Sequence, residues 1–411
     1  MYPAKTHSTE SIGITLILLL ALLTGLDALA IDMYLPAMPA LANDFRASSG
    51  RIQQTLSIFL AGLAIGQALY GPLLDRYGRR LPLLLGVAIF VIGSILAALA
   101  PTVEWLLAAR FLQALGAAAG LVTPRAIVAD LCDLNESARI FSLLMQVMMI
   151  APIVAPLLGS YVLAHGDWRL IFWILAALGI AGFLWGLREI PDSLPAERRV
   201  PLSFRNIVQA YGRQMRNPVF MAYTLAGGFI FGSLFTYISG SSFIFTQHFS
   251  LTPTQYGYLF AANSVALVLG GQISNQMLKR GTREQHAMYL GIIVHSVAGL
   301  LLFLAVRTEI AKLWVYFSLL ALAVGSLGMV IGNLTALTMA NAGRQAGTAS
   351  ALMGTLHYLL SAIIGYAVSF AAAGPASLPL AIAVCGALAL LLSLMAARLI
   401  TGRSGPINHV T

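Results

Sequence analysis

Residues 52–80 read IQQTLSIFLAGLAIGQALYGPLLDRYGRR, and their order decides the fold. From 52 to 70 the run is largely apolar and carries no charged residue. That is close to the roughly 20 residues an α-helix needs to cross hydrocarbon. It closes on Arg76, Arg79 and Arg80. The segment GQISNQMLKRG at 271–281 repeats the device: after another apolar run it sets a Gly, an Asn and a basic cluster at the end of the second helix of a second half. A signature that recurs at corresponding places marks an internal duplication, and such repeats build transporter folds.

Working outward, apolar blocks of the same length recur at 11–31, 52–70, 81–100, 103–124, 137–163, 168–187, 218–245, 255–278, 286–306, 313–340, 346–372 and 377–397. Across all 411 residues, 59% are hydrophobic and only 9% charged, with a mean hydropathy of +0.84. A soluble domain needs about 25% charged residues, so the solvent here is lipid. Backbone polar groups in lipid must be satisfied internally, and runs this long and continuous are helices rather than barrel strands. The expected fold is therefore an all-α membrane protein of twelve transmembrane helices in two pseudo-symmetric six-helix bundles. The polar stretch from Arg188 to Pro218 holds Pro191, Pro195, Pro201 and six Arg, and divides the blocks six and six. The expected organisation is a bundle at 1–187, a cytoplasmic linker at 188–217 and a second bundle at 218–411.

The net charge of +9 does not point to nucleic acid, because its placement is topological. With the N-terminus in the cytoplasm, 18 of the 24 Lys and Arg fall on the inner side, Lys5, Arg198 and Arg344 among them. Arg46, Arg51, Arg169, Arg307 and Lys312 fall outside and Arg110 inside the membrane. This bias follows the positive-inside rule and puts both termini in the cytoplasm. The two cysteines, Cys132 and Cys385, lie in separate environments without metal-ligand spacing. Lys5, the apolar stretch Ile12 to Leu23 and Ala28-Leu29-Ala30 mimic a secretion leader, but Asp27 beside the would-be cleavage site and the apolar continuation through Met33 and Leu35 read as a first span.

Four local patterns carry chemistry. They are IDMYLPAMP at 31–39, GPLLDRYGRR at 71–80, RFLQALG at 110–116 and APIVAPLLGS at 151–160. In the second, Gly71 and Gly78 allow tight turning and close helix approach, Asp75 can pair with a neighbouring Arg or cap the next helix, and Arg76, Arg79 and Arg80 anchor the loop on the inner side. In the last, Pro152, Pro156 and Gly159 stand at i, i+4 and i+7 and share one helix stripe, a smooth surface against which another helix can pack. Together these segments resemble the major facilitator superfamily, and within it the twelve-helix drug:proton antiporters of the bicyclomycin and chloramphenicol resistance type. The resemblance implies that the 71–80 loop is a latch stabilising the outward-facing state by charge pairing between the halves, where physics alone reads a topogenic basic loop. It also implies that the proline stripe is the antiporter signature of exporters, with Ala155 and Ser160 standing where that pattern prefers Gly.

Asp32 lies about twenty residues into the first span and Arg110 about seven into the fourth from the opposite side, so both reach a similar depth in the outer half. An isolated charge there costs about 2.5–3.5 kcal/mol on insertion scales, and such residues are functional by default. The expectation is that the two meet as a proton-coupling pair; a plain ion pair fixing two helices is the other reading. Burial disfavours a charged carboxylate and a neighbouring guanidinium favours it, so moving Arg110 or a substrate relative to Asp32 would switch its proton affinity. Asp27, about 140° around the helix from Asp32, is a second proton site, a cavity residue or a polar contact within the first half.

By matching helix positions to the family, Phe59, Leu60, Gln146, Phe235, Tyr237 and Asn333 are the expected substrate contacts in a mostly apolar pocket with few polar groups. His295 reads as a helix contact. No ATP-binding loop, metal cluster or nucleophile triad stands in the sequence, so the chain reads as neither an enzyme nor a cofactor protein, and uphill transport must draw on an ion gradient. One proton entering down about 100 mV and one pH unit releases roughly 2.3 plus 1.4 kcal/mol. The resulting expectation is a proton-coupled antiporter in the cytoplasmic membrane that exports small, partly apolar drugs or metabolites. The family resemblance implies a monomer. The competing expectation is a dedicated transporter of one metabolite, importing by symport.

Overall fold

A computed structural model of the chain describes residues 13–195, 197, 199, 204–343, 346–371 and 374–403. Lys5, Ile12, Arg198, Pro201 and Arg344 lie outside them. The first half holds α1 (Ile14–Asp32), α2 (Met38–Asp44), α3 (Ser49–Tyr77), α4 (Arg80–Ala98), α5 (Val103–Leu131), α6 (Leu134–His165) and α7 (Arg169–Glu189). After α8 (Phe204–Met215) come α9 (Pro218–Phe243), α10 (Pro253–Lys279), α11 (Glu284–Arg307), α12 (Leu313–Ala340), α13 (Ala346–Val368) and α14 (Ser377–Arg403). Among the described residues, twelve of these helices, all but α2 and α8, have 19 or more residues. They match the twelve apolar blocks in order.

Eleven helical segments are long and apolar enough to cross a membrane. The exception among the expected spans is α10, where Asn263, Gln272, Asn275 and Gln276 dilute an otherwise apolar helix. Two short helices were not expected. One is α2, set off from α1 by a 3₁₀ turn at Leu35–Ala37 that begins the Leu35-Pro36 break. The other is α8 inside the linker, whose Tyr211 packs against Phe220, Ala342, Ala349, Leu352 and Met353.

Helix starts follow capping chemistry. Ser48, Thr102, Asp133, Asn217 and Thr252 each accept a backbone N–H from the first turn that follows, satisfying donors a helix cannot pair for itself. At Thr252 the Gln255 side chain reaches back to complete a capping box. The α3–α4 turn needs Gly78, whose φ of 82° lies in the left-handed region.

Within each half the spanning helices pack on one another: α5 against α3, α4 and α1, and α12 against α10 and α11. Between the halves the main contacts run along α3 with α13 and α6 with α10. Small residues set these distances. A Cβ on Gly159 would run into the Met33 carbonyl oxygen at the end of α1, so glycine is required for α6 to lie this close. Gly71 has no such role, because it sits inside α3 with open space where a Cβ would be. The expectation that Gly71 serves a turn or close approach is corrected accordingly.

Gly159→Ala should therefore lower thermal stability in detergent by about 1–3 kcal/mol through overpacking. Gly71→Ala should leave it unchanged or raise it by up to about 1 kcal/mol. Melting curves of the two purified variants check the contrast, and equal shifts would refute the packing assignment.

Candidate functional site

The site is built around the end of α1. The helix stops at Asp32, and Pro36 and Pro39 keep the next turns from continuing it regularly. The last carbonyls of a helix have no intrahelical donor, and Ala30 lies in that turn. Arg110, fully buried on α5, fills the gap: its Nη1 donates to the Ala30 carbonyl at 3.0 Å and to Gln113 Oε1 at 2.6 Å. Gln113 Nε2 donates to Ser94 Oγ at 2.8 Å, which donates to the Phe90 carbonyl at 2.8 Å, so the chain of bonds continues from α5 into α4.

Three rings enclose the rest of the guanidinium. The Arg110 Cζ stands 4.1 Å from the Phe59 ring centroid, 4.8 Å from Tyr34 and 5.8 Å from Phe172. Arg110 Nε and Nη2 have no hydrogen-bond partner, which leaves the aromatic faces as their surroundings. A cation at a helix C-terminus is also favoured by the helix dipole.

The expected Asp32–Arg110 pair is not formed. Among the described residues no ion pair within 4 Å joins them, and the Arg110 hydrogen bonds go to Ala30 and Gln113. The matched depth was sound, since Arg110 bonds a carbonyl two residues before Asp32. What prevents the pair is that the guanidinium is held among rings and by the carbonyl of a terminating helix.

Asp32 is buried, and no hydrogen bond or ion pair is found for its carboxylate among the described residues. It stands within electrostatic reach of Asp27 and of Tyr237 on α9 and Tyr256 on α10, both from the other half. Tyr237 Oη accepts from Asn263 Nδ2 at 3.1 Å and its ring stacks on Phe260 at 5.4 Å; Tyr256 Oη bonds Ser241 Oγ at 3.0 Å. Asp27 is 2% exposed with an unpartnered Oδ1, and lies within reach of Arg125 on α5 and Tyr358 on α13.

Of the expected substrate contacts, Tyr237 bonds Asn263 and lies within electrostatic reach of Asp32, and Phe235 joins a ring cluster with Phe231 and Tyr358. The others stand elsewhere. Phe59 is a wall of the Arg110 enclosure, and Leu60 is buried in the core. Asn333 Nδ2 donates to Ser274 Oγ and the Met329 carbonyl, both at 2.7 Å, tying α12 to α10. Gln146 is exposed on α6. His295 is a helix contact, with its ring nitrogens bonded to the Ala323 carbonyl at 2.8 Å and Ser233 Oγ at 2.9 Å. Tyr34, Phe172 and Tyr256 were missed. Tyr34 stood inside the quoted IDMYLPAMP segment.

The 71–80 loop pairs within its own half and with the linker. Arg79 bonds Asp130 at 2.8 Å and Asp75 at 3.0 Å, its backbone N–H donates to Asp192 Oδ1 at 3.1 Å, and Arg80 donates to the Leu187 carbonyl at 2.6 Å. Arg76 lies over the ring of Tyr77 at 6.0 Å. Charge pairing between the halves, expected of this latch, is absent among the described residues in this conformation. Pro152, Pro156 and Gly159 lie on the side of α6 that meets α1 and α10. A cavity of about 260 Å³ opens where the start of α3 meets α9 and the start of α14, lined by Gln53, Thr236, Gly240, Gln247 and His248 among others.

If Arg110 caps α1 rather than pairing Asp32, its loss leaves the Ala30 carbonyl and Gln113 unsatisfied. Arg110→Ala should then cost roughly 3 kcal/mol of stability. In a double-mutant cycle with Asp32→Asn the two shifts should add within about 0.5 kcal/mol. A coupling well above that, read from melting curves in detergent, would restore the ion pair.

Comparison with known proteins agrees with this architecture. The model of the Major Facilitator Superfamily matches residues 20–366. The uncharacterized MFS-type transporter YdgK of Bacillus subtilis is 36% identical over 355 residues, covering 85% of this chain and 87% of that protein. The bicyclomycin resistance protein homolog of Haemophilus influenzae is 27% identical over 349 residues, with coverage of 85% and 87%. Among solved structures, a D-xylose–proton symporter superposes with a TM-score of 0.77 at 13% identity over 93% of this chain and 97% of that one, a likeness of fold alone. With eleven helical segments among the described residues long and apolar enough to span a membrane, the chain is a multi-pass membrane transporter and not an enzyme, and it belongs to the Major Facilitator Superfamily.

Proposed function

We propose that the protein is a proton-coupled antiporter of the cytoplasmic membrane that exports small, partly apolar molecules by alternating access, as a monomer containing both halves. The supporting observation is Asp32, a buried carboxylate without a hydrogen bond or ion pair among the described residues, within electrostatic reach of Tyr237 and Tyr256 of the other half. An ionisable group in the bilayer interior that is left unpaired is costly when charged, so it holds a proton or faces a compensating guest. The rings of Phe231, Phe235 and Tyr358 near Asp27 suit a partly apolar guest. Relatives named for bicyclomycin and multidrug resistance favour export of toxic compounds.

Arg110 then acts as the fixed part: it holds the end of α1 through Ala30, which places Asp32. Protonation of Asp32 and binding of the guest compete for the same space, and each proton that enters drives one round of export.

Expressed in a bacterium deprived of its own exporters and screened against many toxic compounds, the protein should raise the tolerated concentration of a subset several-fold. A proton uncoupler should abolish the effect, and so should Asp32→Asn at equal expression. Protection that survives both would refute proton coupling at Asp32, and intracellular accumulation in place of protection would refute export.

A further inference from the structure

Among the described residues, four side-chain hydrogen bonds join the first six spanning helices to the last six. Gln54 Nε2 donates to Ser369 Oγ at 3.1 Å and Ser242 Oγ to the Leu35 carbonyl at 2.8 Å. Ser160 Oγ shares its proton between the Pro253 carbonyl at 3.0 Å and the Pro156 carbonyl of its own helix at 2.8 Å, and Ser264 Oγ between the Pro152 carbonyl at 3.1 Å and its own helix. Three sit at the outer ends of the helices. The fourth, Ser264 to Pro152, lies about three turns further in. Backbone contact is equally close there: a Cβ on Gly50 would meet the Ser369 carbonyl, and one on Gly257 the Ser160 hydroxyl. The outer side of the seam is shut in this conformation.

Two of the acceptors share a chemical peculiarity. In an α-helix the carbonyl of residue i takes the N–H of residue i+4. Four residues after Leu35 comes Pro39, and four after Pro152 comes Pro156; neither has an N–H to give. Leu35 receives the Met38 N–H through the 3₁₀ turn but keeps a second lone pair. A carbonyl that its own helix cannot satisfy is costly in a water-free site. In both cases the substitute donor is a buried seryl hydroxyl from the opposite half.

We propose that Ser242 and Ser264 form a hydroxyl latch that sets the outer-closed resting state by donating across the seam to the two backbone carbonyls that Pro39 and Pro156 free. The latch is asymmetric in what it leaves behind on opening. Ser264 Oγ also lies 3.0 Å from the Phe260 carbonyl of its own helix, so the hydroxyl has a fallback. The Pro152 carbonyl has no i+4 donor to turn to, whereas the Leu35 carbonyl keeps the Met38 N–H and loses only its second donor. Separation of the halves on the outer side is therefore costliest at Pro152, until water or a bound molecule supplies the missing donor, which ties opening to wetting of the seam. Two prolines that bend helices thus also choose where the other half can grip them.

The inference rests on the alternating-access part of the proposed function and on neither the cargo nor the proton. It is tested without either, on the purified full chain carrying Cys132→Ser and Cys385→Ala. Spin labels at Asn43→Cys and Thr254→Cys report the outer separation by pulsed dipolar spectroscopy. A second pair at Arg139→Cys and Lys279→Cys reports the inner one. Removing one hydroxyl, by Ser242→Ala or Ser264→Ala, should raise the ratio of outer-open to outer-closed molecules about threefold to fivefold, and the double substitution about tenfold or more. Ser→Thr at either position keeps the hydroxyl and should keep the wild-type ratio. Pro156→Ala returns an N–H to the Pro152 carbonyl, so it should shift the ratio as Ser264→Ala does and add nothing to it. Unchanged outer distances in the double alanine variant, with two populations still visible in the wild type, would overturn the latch alone. A single population on both faces in every variant would overturn alternating access and the latch with it.

Discussion

A guanidinium buried in a bilayer must be satisfied by whatever the protein can bring to it, and the bonds of Arg110 to the end of α1 are the constraint on which the rest of this site depends. The helix terminates at Asp32 ahead of a proline-rich turn, so the Ala30 carbonyl is free to accept, and Arg110 takes it. The rings of Phe59, Tyr34 and Phe172 close around the remaining edges, which lets the charge persist without a carboxylate. Asp32 is thereby released from service as a counter-ion. It stands two residues beyond the capped carbonyl, within electrostatic reach of tyrosines of the other half.

This division of labour explains how one short segment serves both structure and transport. Residues 30–39 end a helix, receive Arg110, hold a buried carboxylate and offer the Leu35 carbonyl to Ser242 across the seam. Gly159 lets α6 approach the Met33 carbonyl in the same region. The loop at 71–80 is organised differently, through Asp75, Asp130 and Asp192. Contacts between the halves run instead along α3 with α13 and α6 with α10.

Much of the fold was legible because lipid imposes a simple code: apolar blocks of spanning length, separated by charged breaks, became α1, α3–α7 and α9–α14 with ends shifted by a few residues. The code failed where length or hydrophobicity was not the cause. Helix α8 is too short and polar to be seen that way, and α2 exists only because a 3₁₀ turn after α1 restarts the chain as a helix. For the site, sequence gave depth but not competition. It placed Arg110 level with Asp32, but could not show that a helix-end carbonyl and three rings would claim the guanidinium first. Phe59 and Leu60 were chosen by family position and lie in the buried core, whereas Tyr237 was chosen the same way and lies within electrostatic reach of Asp32. The cross-seam serines carried no signal by themselves, because the spacing that matters lies in the prolines of the other half.

The central claim is that Asp32 carries the proton that transport exchanges. Its most direct test is the proton release that accompanies binding, measured in weakly buffered detergent solution with a compound to which the protein confers resistance. The wild type should release close to one proton per molecule bound and Asp32→Asn far less, while Asp27→Asn gauges how much the neighbouring carboxylate contributes. Undiminished release from Asp32→Asn, with binding intact, would contradict the account.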